Sequence, residues 1–299
     1  MNTVPLIATL PISRDGALSL DAKSAEEFGA SLATSYCFAE PYPHIVIDEF
    51  LPAWLIEEIL EKFPVERNSE DKFYESEFSG LHKRQVAPYH CEERIQTFFN
   101  FFNSSPFIRF LESLTKIDSL IGDPHFGGGG FHEIFRGGHL GVHADYRIHT
   151  ELHLNRRINV LLYLNKNWKK EYGGELEIWD KNMSKKFKGI LPTFNRCVVF
   201  NTDSHSFHGH PDPLNTPQEV TRKSIALYYY TASKKVYEET PSYSTMYVAR
   251  PQDSKSLKLK AAKLRMHNYL NDWLPPVGYR LFKKIMMCTR DFVRTIRPK

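Results

Sequence analysis

The stretch "RINVLLYLNKNWKKEYGGELEIWD", residues 157–180, decides how the chain is read. Two apolar runs flank a polar segment that closes on Gly173-Gly174, and each run has the length of a strand rather than a helix. The same texture extends in both directions from Gly127. "GGFHEIFR", "LGVHAD", "KGILPTF", "RCVVFN", "HSFHGH" and "RKSIALYYYT" are short, β-rich and separated by Gly, Pro, Asn and Asp. Eight such runs without an intervening helix predict a double-sheet jelly roll or barrel, a shape that holds small ligands between its sheets.

Upstream, helical spacing returns. "PYPHIVIDEFLP" reads as a short buried strand, and "AWLIEEILEKFP" as an amphipathic helix stopped by Pro64. "KFYESEF" fits a strand, while "ERIQTFFNFF" and "PFIRFLESLTKI" fit two helices whose phenylalanines belong to the core. The expected organisation is a weakly structured segment 1–40 with a helix near "SAEEFGASLATSYCF", a strand and helical buttress 41–126, a β-roll 127–235, and a basic helical extension 236–299. The fold class is mainly β with flanking helices (α+β), with N-terminal helices buttressing a jelly-roll core.

Four scattered cysteines, with no C-x-x-C pair, argue for a reducing, cytoplasmic setting and against a disulfide framework. No signal peptide is recognisable, and no window approaches 18 uncharged apolar residues. The net charge of +4 conceals an asymmetry: residues 255–299 hold twelve Lys/Arg against Asp272 and Asp291, or +10, which leaves −6 for the rest. The tail "GYRLFKKIMMCTRDFVRTIRPK" carries apolar residues at helical spacing with cations between them. Two readings follow: a helix docked on the acidic body, or peripheral contact with an anionic membrane or acidic partner. Nucleic acid is not expected, because no recognition motif is present.

Five of thirteen histidines lie in 132–153, "HEIFRGGHLGVHADYRIHTELH". His143 and Asp145 are two apart, so on a strand both leave from one face. Alone, this His-x-Asp is weak. Some sixty residues on, "VVFNTDSHSFHGHP" offers His205, His208 and His210, one of which could complete a two-histidine, one-carboxylate facial triad with open positions. Arg222 with Ser224 then suits forked recognition of a carboxylate.

The run from Gly127 to Thr231 resembles the 2-oxoglutarate/Fe(II)-dependent oxygenases, in their prolyl 4-hydroxylase-like branch. The residues carrying the resemblance are "HAD", "LLYLNKNW", "YGGELEIW", "PTFNRCVVF", "HGHP" and "TRKSIALYYY". The resemblance implies a double-stranded β-helix that binds Fe(II) and 2-oxoglutarate. The implied reaction consumes O2, releases succinate and CO2, hydroxylates a C–H bond, and uses ascorbate as reductant. It makes His143, Asp145 and His208 the iron ligands, with His210 the rival to His208 and His205 a weaker one. Arg222 and Tyr163 would hold the distal carboxylate, assisted by Ser224. Asn159, four positions from Tyr163 on the same face, would line the cosubstrate pocket. Presence of Asp145 favours hydroxylation, since related halogenases lack that carboxylate. A catalytically silent binding module and a cupin-like enzyme without 2-oxoglutarate are the rival readings. The substrate, small-molecule or peptidyl, stays open among prolyl, amino-acid and saccharide classes.

Other residues carry bland expectations. His149 and His153 read as solvated loop residues, while His132 and His139 are equally balanced between site and surface. Residues 127–130 fit a mobile lip, and Tyr146 a substrate contact. Arg156 and Arg157 serve either an acidic substrate or a solvated edge. Trp168 and Trp179 pack.

Overall fold

The computed structural model describes residues 5–14, 18–78, 80–232 and 244–273. The chain opens with three two-residue strands, β1 (Leu6–Ile7), β2 (Ile12–Ser13) and β3 (Ser19–Leu20), then α1 (Ala22–Cys37). Asp21 caps α1 by accepting from Ser24 N at 2.8 Å. Next come β4 (His44–Asp48), α2 (Ala53–Glu61), β5 (Lys72–Ser76), β6 (Gly80–Val86), α3 (Glu93–Phe102) and α4 (Ser105–Thr115). The β-rich half supplies β7 (Ile121–Gly122), β8 (Gly130–Ala144), β9 (Asn155–Tyr163), β10 (Leu176–Trp179) and β11 (Lys186–Ile190). It ends with β12 (Cys197–Asn201), β13 (His208–His210), β14 (Arg222–Thr231), β15 (Met246–Tyr247) and helix α5 (Lys255–Trp273).

Two sheets share the long strand β8. Its first part pairs with β14 and β6, within the order β1-β4-β12-β9-β14-β8. Its last residues pair instead with β13 and β15, and β13 continues to β10 and β11. The sheets therefore curl around an interior, as a jelly roll requires. "GGFHEIFR" and "LGVHAD", expected as two strands, are this one strand, with Gly137 in the left-handed region at φ 77 between its two pairings.

Alternation along the strands separates packing from chemistry. On β9, Ile158, Val160 and Leu162 face the helices, while Asn159, Leu161 and Tyr163 face the interior. On β14, Ile225, Leu227 and Tyr229 join the helical core, while Arg222, Ser224 and Tyr228 look inward. The helical side is a phenylalanine cluster: Phe102 and Phe107 stack edge-on at 5.1 Å between centroids, and Phe99 meets Phe131 of β8 at 5.2 Å.

The N-terminal segment differs from its expectation. Residues 22–37 do form a helix, but the region is anchored, not weakly structured. Helix α1 packs on α4 so closely that a Cβ on Gly29 would lie 2.3 Å from the Phe110 carbonyl oxygen, and β1 pairs with β4. Alanine, glycine and serine in "SAEEFGASLATS" permit this approach, yet read as low apolar content. The amphipathic pattern expected over 278–299 lies outside the described residues. Among those described, no helix is long and apolar enough to cross a membrane.

Candidate functional site

His143, Asp145 and His208 converge inside the roll, their ligand atoms within 4.8 Å of one another. Strand pairing causes this: His208 of β13 stands opposite His143 of β8, and Asp145 follows His143 by two residues. The imidazole tautomers are set by the backbone. His143 Nδ1 lies 2.8 Å from the Gly141 carbonyl oxygen, and His208 Nδ1 lies 2.9 Å from that of Ser206. A carbonyl only accepts, so both Nδ1 atoms carry the proton and both Nε2 lone pairs are directed elsewhere. They meet the carboxylate: His143 Nε2 to Asp145 Oδ1 at 3.7 Å, and His208 Nε2 to Asp145 Oδ2 at 3.5 Å.

Burial, and then the neighbouring His208, push the His143 imidazole down to about 3, and burial lowers His208 as well. Burial alone would raise the Asp145 carboxyl, but Arg156 and the two imidazoles hold it below the usual carboxylate range. Both rings are therefore neutral near pH 7 beside an ionised carboxylate. Three lone-pair donors then face one another with no hydrogen between them, which is repulsive without a cation. Two nitrogens and one oxygen on one side of a point suit a divalent metal with open positions.

Arg222 lies deeper. Its Nε donates to the Gly174 carbonyl at 2.9 Å, and Nη2 donates to the Tyr163 hydroxyl at 3.3 Å. Among the described residues no carboxylate pairs with this buried guanidinium, and burial lowers its pKa. Such a charge wants an anionic partner. Ser224 stands in register with Tyr163 on one side and His132 on the other, and lines the same chamber.

Comparison with known proteins fits this geometry. Residues 129–230 match the family model described as the 2OG-Fe(II) oxygenase superfamily. These residues, about a third of the chain, are what is similar to that superfamily. A mouse protein, "Prolyl 3-hydroxylase OGFOD1", is 29% identical over 128 residues, which are 40% of this chain and 20% of that protein. The chain thus spans about a fifth of the length of this relative. Among solved structures, a Pseudomonas putida prolyl-4-hydroxylase aligns with TM-score 0.49 and 16% identity, covering 68% of this chain and 99% of that one. A Trichoplax adhaerens prolyl hydroxylase, solved with a hypoxia inducible factor peptide fragment, aligns with TM-score 0.47 and 18% identity over 70% and 91%.

The site residues expected from sequence, Tyr163 excepted, line a chamber of about 210 Å³: His143, Asp145, Asn159, His208, Arg222 and Ser224. Tyr163 packs in the adjoining apolar cluster and reaches the site through Arg222. His210, the rival of His208, lies outside the three-residue cluster but lines the same chamber. His205 is exposed and lies away from it. Asn159 has a different contact from the one expected. Its amide donates to Asp145 Oδ2 at 2.7 Å, and its carbonyl accepts from Arg156 Nε and Nη2 at 3.0 and 2.7 Å. It orients the carboxylate as well as lining the wall.

Arg156 is neither a solvated edge nor a free contact. It is 2% exposed and lies 3.1 Å from Asp145 Oδ2, with its guanidinium carbon 3.6 Å from the Tyr228 ring centroid. "NRRINV" gives no sign of this, because consecutive arginines on a strand read as surface until the inward face is known. His149 is also buried, accepting at Nδ1 from the amides of Glu151 and Leu152 and facing Asp123 at 3.7 Å through Nε2. The solvated reading holds only for His153, which is exposed. His132 lines the chamber and donates from Nε2 to the Gly128 carbonyl at 2.9 Å, whereas His139 contacts the Glu77 carbonyl away from it.

An outer cleft of about 790 Å³ adjoins the chamber, and Gly128 and Tyr146 line both. The tyrosine hydroxyl is hydrogen-bonded to Tyr230 Oη at 2.9 Å and donates to the Gly127 carbonyl at 3.2 Å. The remaining wall comes from the β5–β6 hairpin, which contributes Tyr74 and Lys83 to the chamber and Lys72 and Gln85 to the cleft. Sequence reading missed this wall entirely. "LHKRQV" looks solvated, yet Lys83, Arg84 and Gln85 are all buried.

Proposed function

We propose that the protein is an Fe(II)- and 2-oxoglutarate-dependent dioxygenase of the prolyl 4-hydroxylase-like branch. It hydroxylates a C–H bond of a prolyl, amino-acid or saccharide substrate, with release of succinate and CO2. The observation that carries this reading is the meeting of two Nε2 lone pairs with the Asp145 carboxylate. His143, Asp145 and His208 would hold the iron, and Arg222 with Tyr163 and Ser224 would hold the far carboxylate of 2-oxoglutarate.

A bound ferrous ion with 2-oxoglutarate supplies the oxidising chemistry; the chain supplies placement and exclusion of water. The Gly141 and Ser206 carbonyls fix the ring tautomers, and Asn159 and Arg156 hold Asp145 in one orientation. Arg222 sets how far the cosubstrate enters, because its planar fork is always charged and matches a carboxylate bidentately. The neutral rings let metal bind at pH 7 without displacing protons from the ligands.

O2 is the second cosubstrate in this reading, and ascorbate the reductant that rescues turnover without substrate. Unpaired Cys37, Cys91 and Cys197 support a reducing compartment, the cytoplasm, and the charge of the basic tail suits contact with an anionic membrane or acidic partner. Arg222, buried without a counter-charge among the described residues, disfavours a silent module or a cupin-like enzyme, neither of which needs it.

The test is anaerobic titration of 2-oxoglutarate into the Fe(II) protein, followed by its visible charge-transfer band. A saturable band in the wild type and its loss in Arg222→Ala are expected. Absence of any band in metal-loaded wild type overturns the proposal.

A further inference from the structure

The chamber carries more positive charge than this reaction uses. Lys83, Arg156 and Arg222 line it, and among the described residues Asp145 is the one carboxylate in its lining. A ferrous ion adds two positive charges and 2-oxoglutarate two negative ones. Two positive charges are then left over among buried side chains.

Arg156 is paired with Asp145, and Arg222 faces the cosubstrate end, so the unassigned cation is Lys83. It is 9% exposed, and its amine sits 4.9 Å from the Tyr74 ring centroid. Among the described residues it makes no ion pair. The acids beside it are engaged on the other face of the sheet: Arg84 holds Asp71 at 2.7 Å and Glu133 at 3.1 Å, and Glu133 also accepts from Thr221 at 2.7 Å. Asp145, the nearby chamber carboxylate, is itself taken by Arg156. A buried lysine amine without an ion pair is costly unless a ligand brings the counter-charge.

A second observation points the same way. His210 is 4% exposed, lines the chamber, and has no hydrogen-bond partner at either ring nitrogen among the described residues. A neutral imidazole offers one N–H to an oxygen ligand. The chamber therefore holds two donors: on β13 His210, which has no hydrogen-bond partner, and on β6 Lys83, which has no ion pair, among the described residues.

2-Oxoglutarate does not account for Lys83. Its distal carboxylate would be held by Arg222 and Tyr163, and its keto-acid end by a metal on His143, Asp145 and His208. We infer that Lys83, supported by His210, is an anion subsite for the primary substrate, which carries a carboxylate or phosphate near the carbon that is hydroxylated. This rests on the dioxygenase reading above. It selects a free amino acid or an acidic or phosphorylated sugar over a prolyl residue inside a neutral peptide segment.

The experiment uses Mn(II) in place of Fe(II), saturating 2-oxoglutarate, and two minimal probes, acetate and methylphosphonate. Paramagnetic broadening of the probe signals reports an anion bound close to the metal, and calorimetry reports 2-oxoglutarate affinity separately. Broadening of at least one probe is expected in the wild type with 2-oxoglutarate present. In Lys83→Met and Lys83→Gln that binding should fall about tenfold or more while 2-oxoglutarate affinity stays within about twofold. Lys83→Arg should retain it. Circular dichroism identifies which neutral variants are folded, and Lys83→Arg against wild type reads the same contact if neither is.

Equal broadening in wild type and neutral variants overturns the inference, as does its absence in the wild type. A tenfold loss of 2-oxoglutarate affinity in Lys83→Gln also overturns it, by assigning the amine to the cosubstrate. Failure of 2-oxoglutarate to bind the metal-loaded wild type is a separate result, which removes the dioxygenase reading itself.

Discussion

Nη2 of Arg156 lies 3.1 Å from Oδ2 of Asp145, and the same carboxylate oxygen accepts from Asn159 at 2.7 Å. One ligand of the proposed metal is thus locked by two residues of β9, which lies across β14 from β8. Arg156 is itself sandwiched, its guanidinium carbon 4.6 Å from the Tyr146 ring centroid and 3.6 Å from that of Tyr228. Such contacts hold a planar fork and not an ammonium, so lysine is no substitute. Arg156→Lys should keep the charge and weaken metal binding by about 10- to 100-fold. Arg156→Met should also destabilise the fold, by about 3–5 kcal/mol, because Asp145 is left buried without its partner. Metal titration of Arg156→Lys and denaturant melts of Arg156→Met check the pair. Unchanged metal affinity in Arg156→Lys would remove the positioning role.

The Tyr163 hydroxyl accepts from Arg222 at 3.3 Å and leans on it, with the guanidinium carbon 5.0 Å from the ring centroid. If the two hold one carboxylate, they act as a unit and their effects do not add. Tyr163→Phe removes one neutral hydrogen bond, worth about 1 kcal/mol, and should weaken 2-oxoglutarate about fivefold. Arg222→Met should weaken it by about 100-fold or more, with the double variant little worse than Arg222→Met alone. Metal affinity should be the same in all three. Strict additivity in calorimetry would mean that the residues contact different groups.

How far these features were legible follows from their physics. His143, Asp145 and Arg222 were legible through the combined motifs that carry the resemblance, and a period of two fixes the shared face of His143 and Asp145. His208, by contrast, stayed in competition with His210 and His205 until strand pairing set it opposite His143. The roll was legible in runs of strand length punctuated by glycine. Arg156 and Lys83 were not. Each is a cation beside another cation on a strand, Arg157 and Arg84, and which of two neighbours points inward depends on register that hydrophobicity does not mark. The anchoring of residues 22–37 was hidden differently: α1 packs through small residues such as Ala25 and Gly29, whose contribution is close approach and not apolar bulk.

Gly209 sits between His208 and His210 where two strands come very close. A Cβ there would lie 2.8 Å from the Gly141 carbonyl oxygen and 2.9 Å from Val142 Cα, both rigid backbone of β8. Since Gly141 O also fixes the His143 ring, any separation of β13 from β8 disturbs two proposed ligands together. Gly209→Ala should cost about 1–3 kcal/mol, as overpacking does, and weaken metal binding by more than the same loss of stability imposed elsewhere. Leu55→Val, in the helical core, is the comparison. Equal metal affinity in the two variants would separate strand spacing from ligand geometry.

Acid should unfold the metal-free protein early, and two histidines outside the proposed ligand set give the sign. Burial lowers the pKa of His44 and of His132 below the usual 6.5, with Lys83 pressing His132 further down. In the unfolded chain each takes up a proton as pH falls through about 6.5, while in the fold burial delays that uptake to lower pH. The unfolded state then binds more protons, so stability falls with decreasing pH below about 6.5 and is insensitive to these groups above it. Each site contributes at most about 1.4 kcal/mol per pH unit in that window. His44 Nδ1 contacts the Tyr42 carbonyl at 2.9 Å, a donor position that asparagine reproduces, and glutamine reproduces the Nε2 donor of His132 toward Gly128. The double variant His44→Asn/His132→Gln should therefore match wild type near pH 7.5 and gain on it steadily from pH 6.5 to pH 5. Thermal melts with chelator present measure the difference between the two proteins. A difference that stays constant across that range would mean that neither imidazole changes its protonation on unfolding.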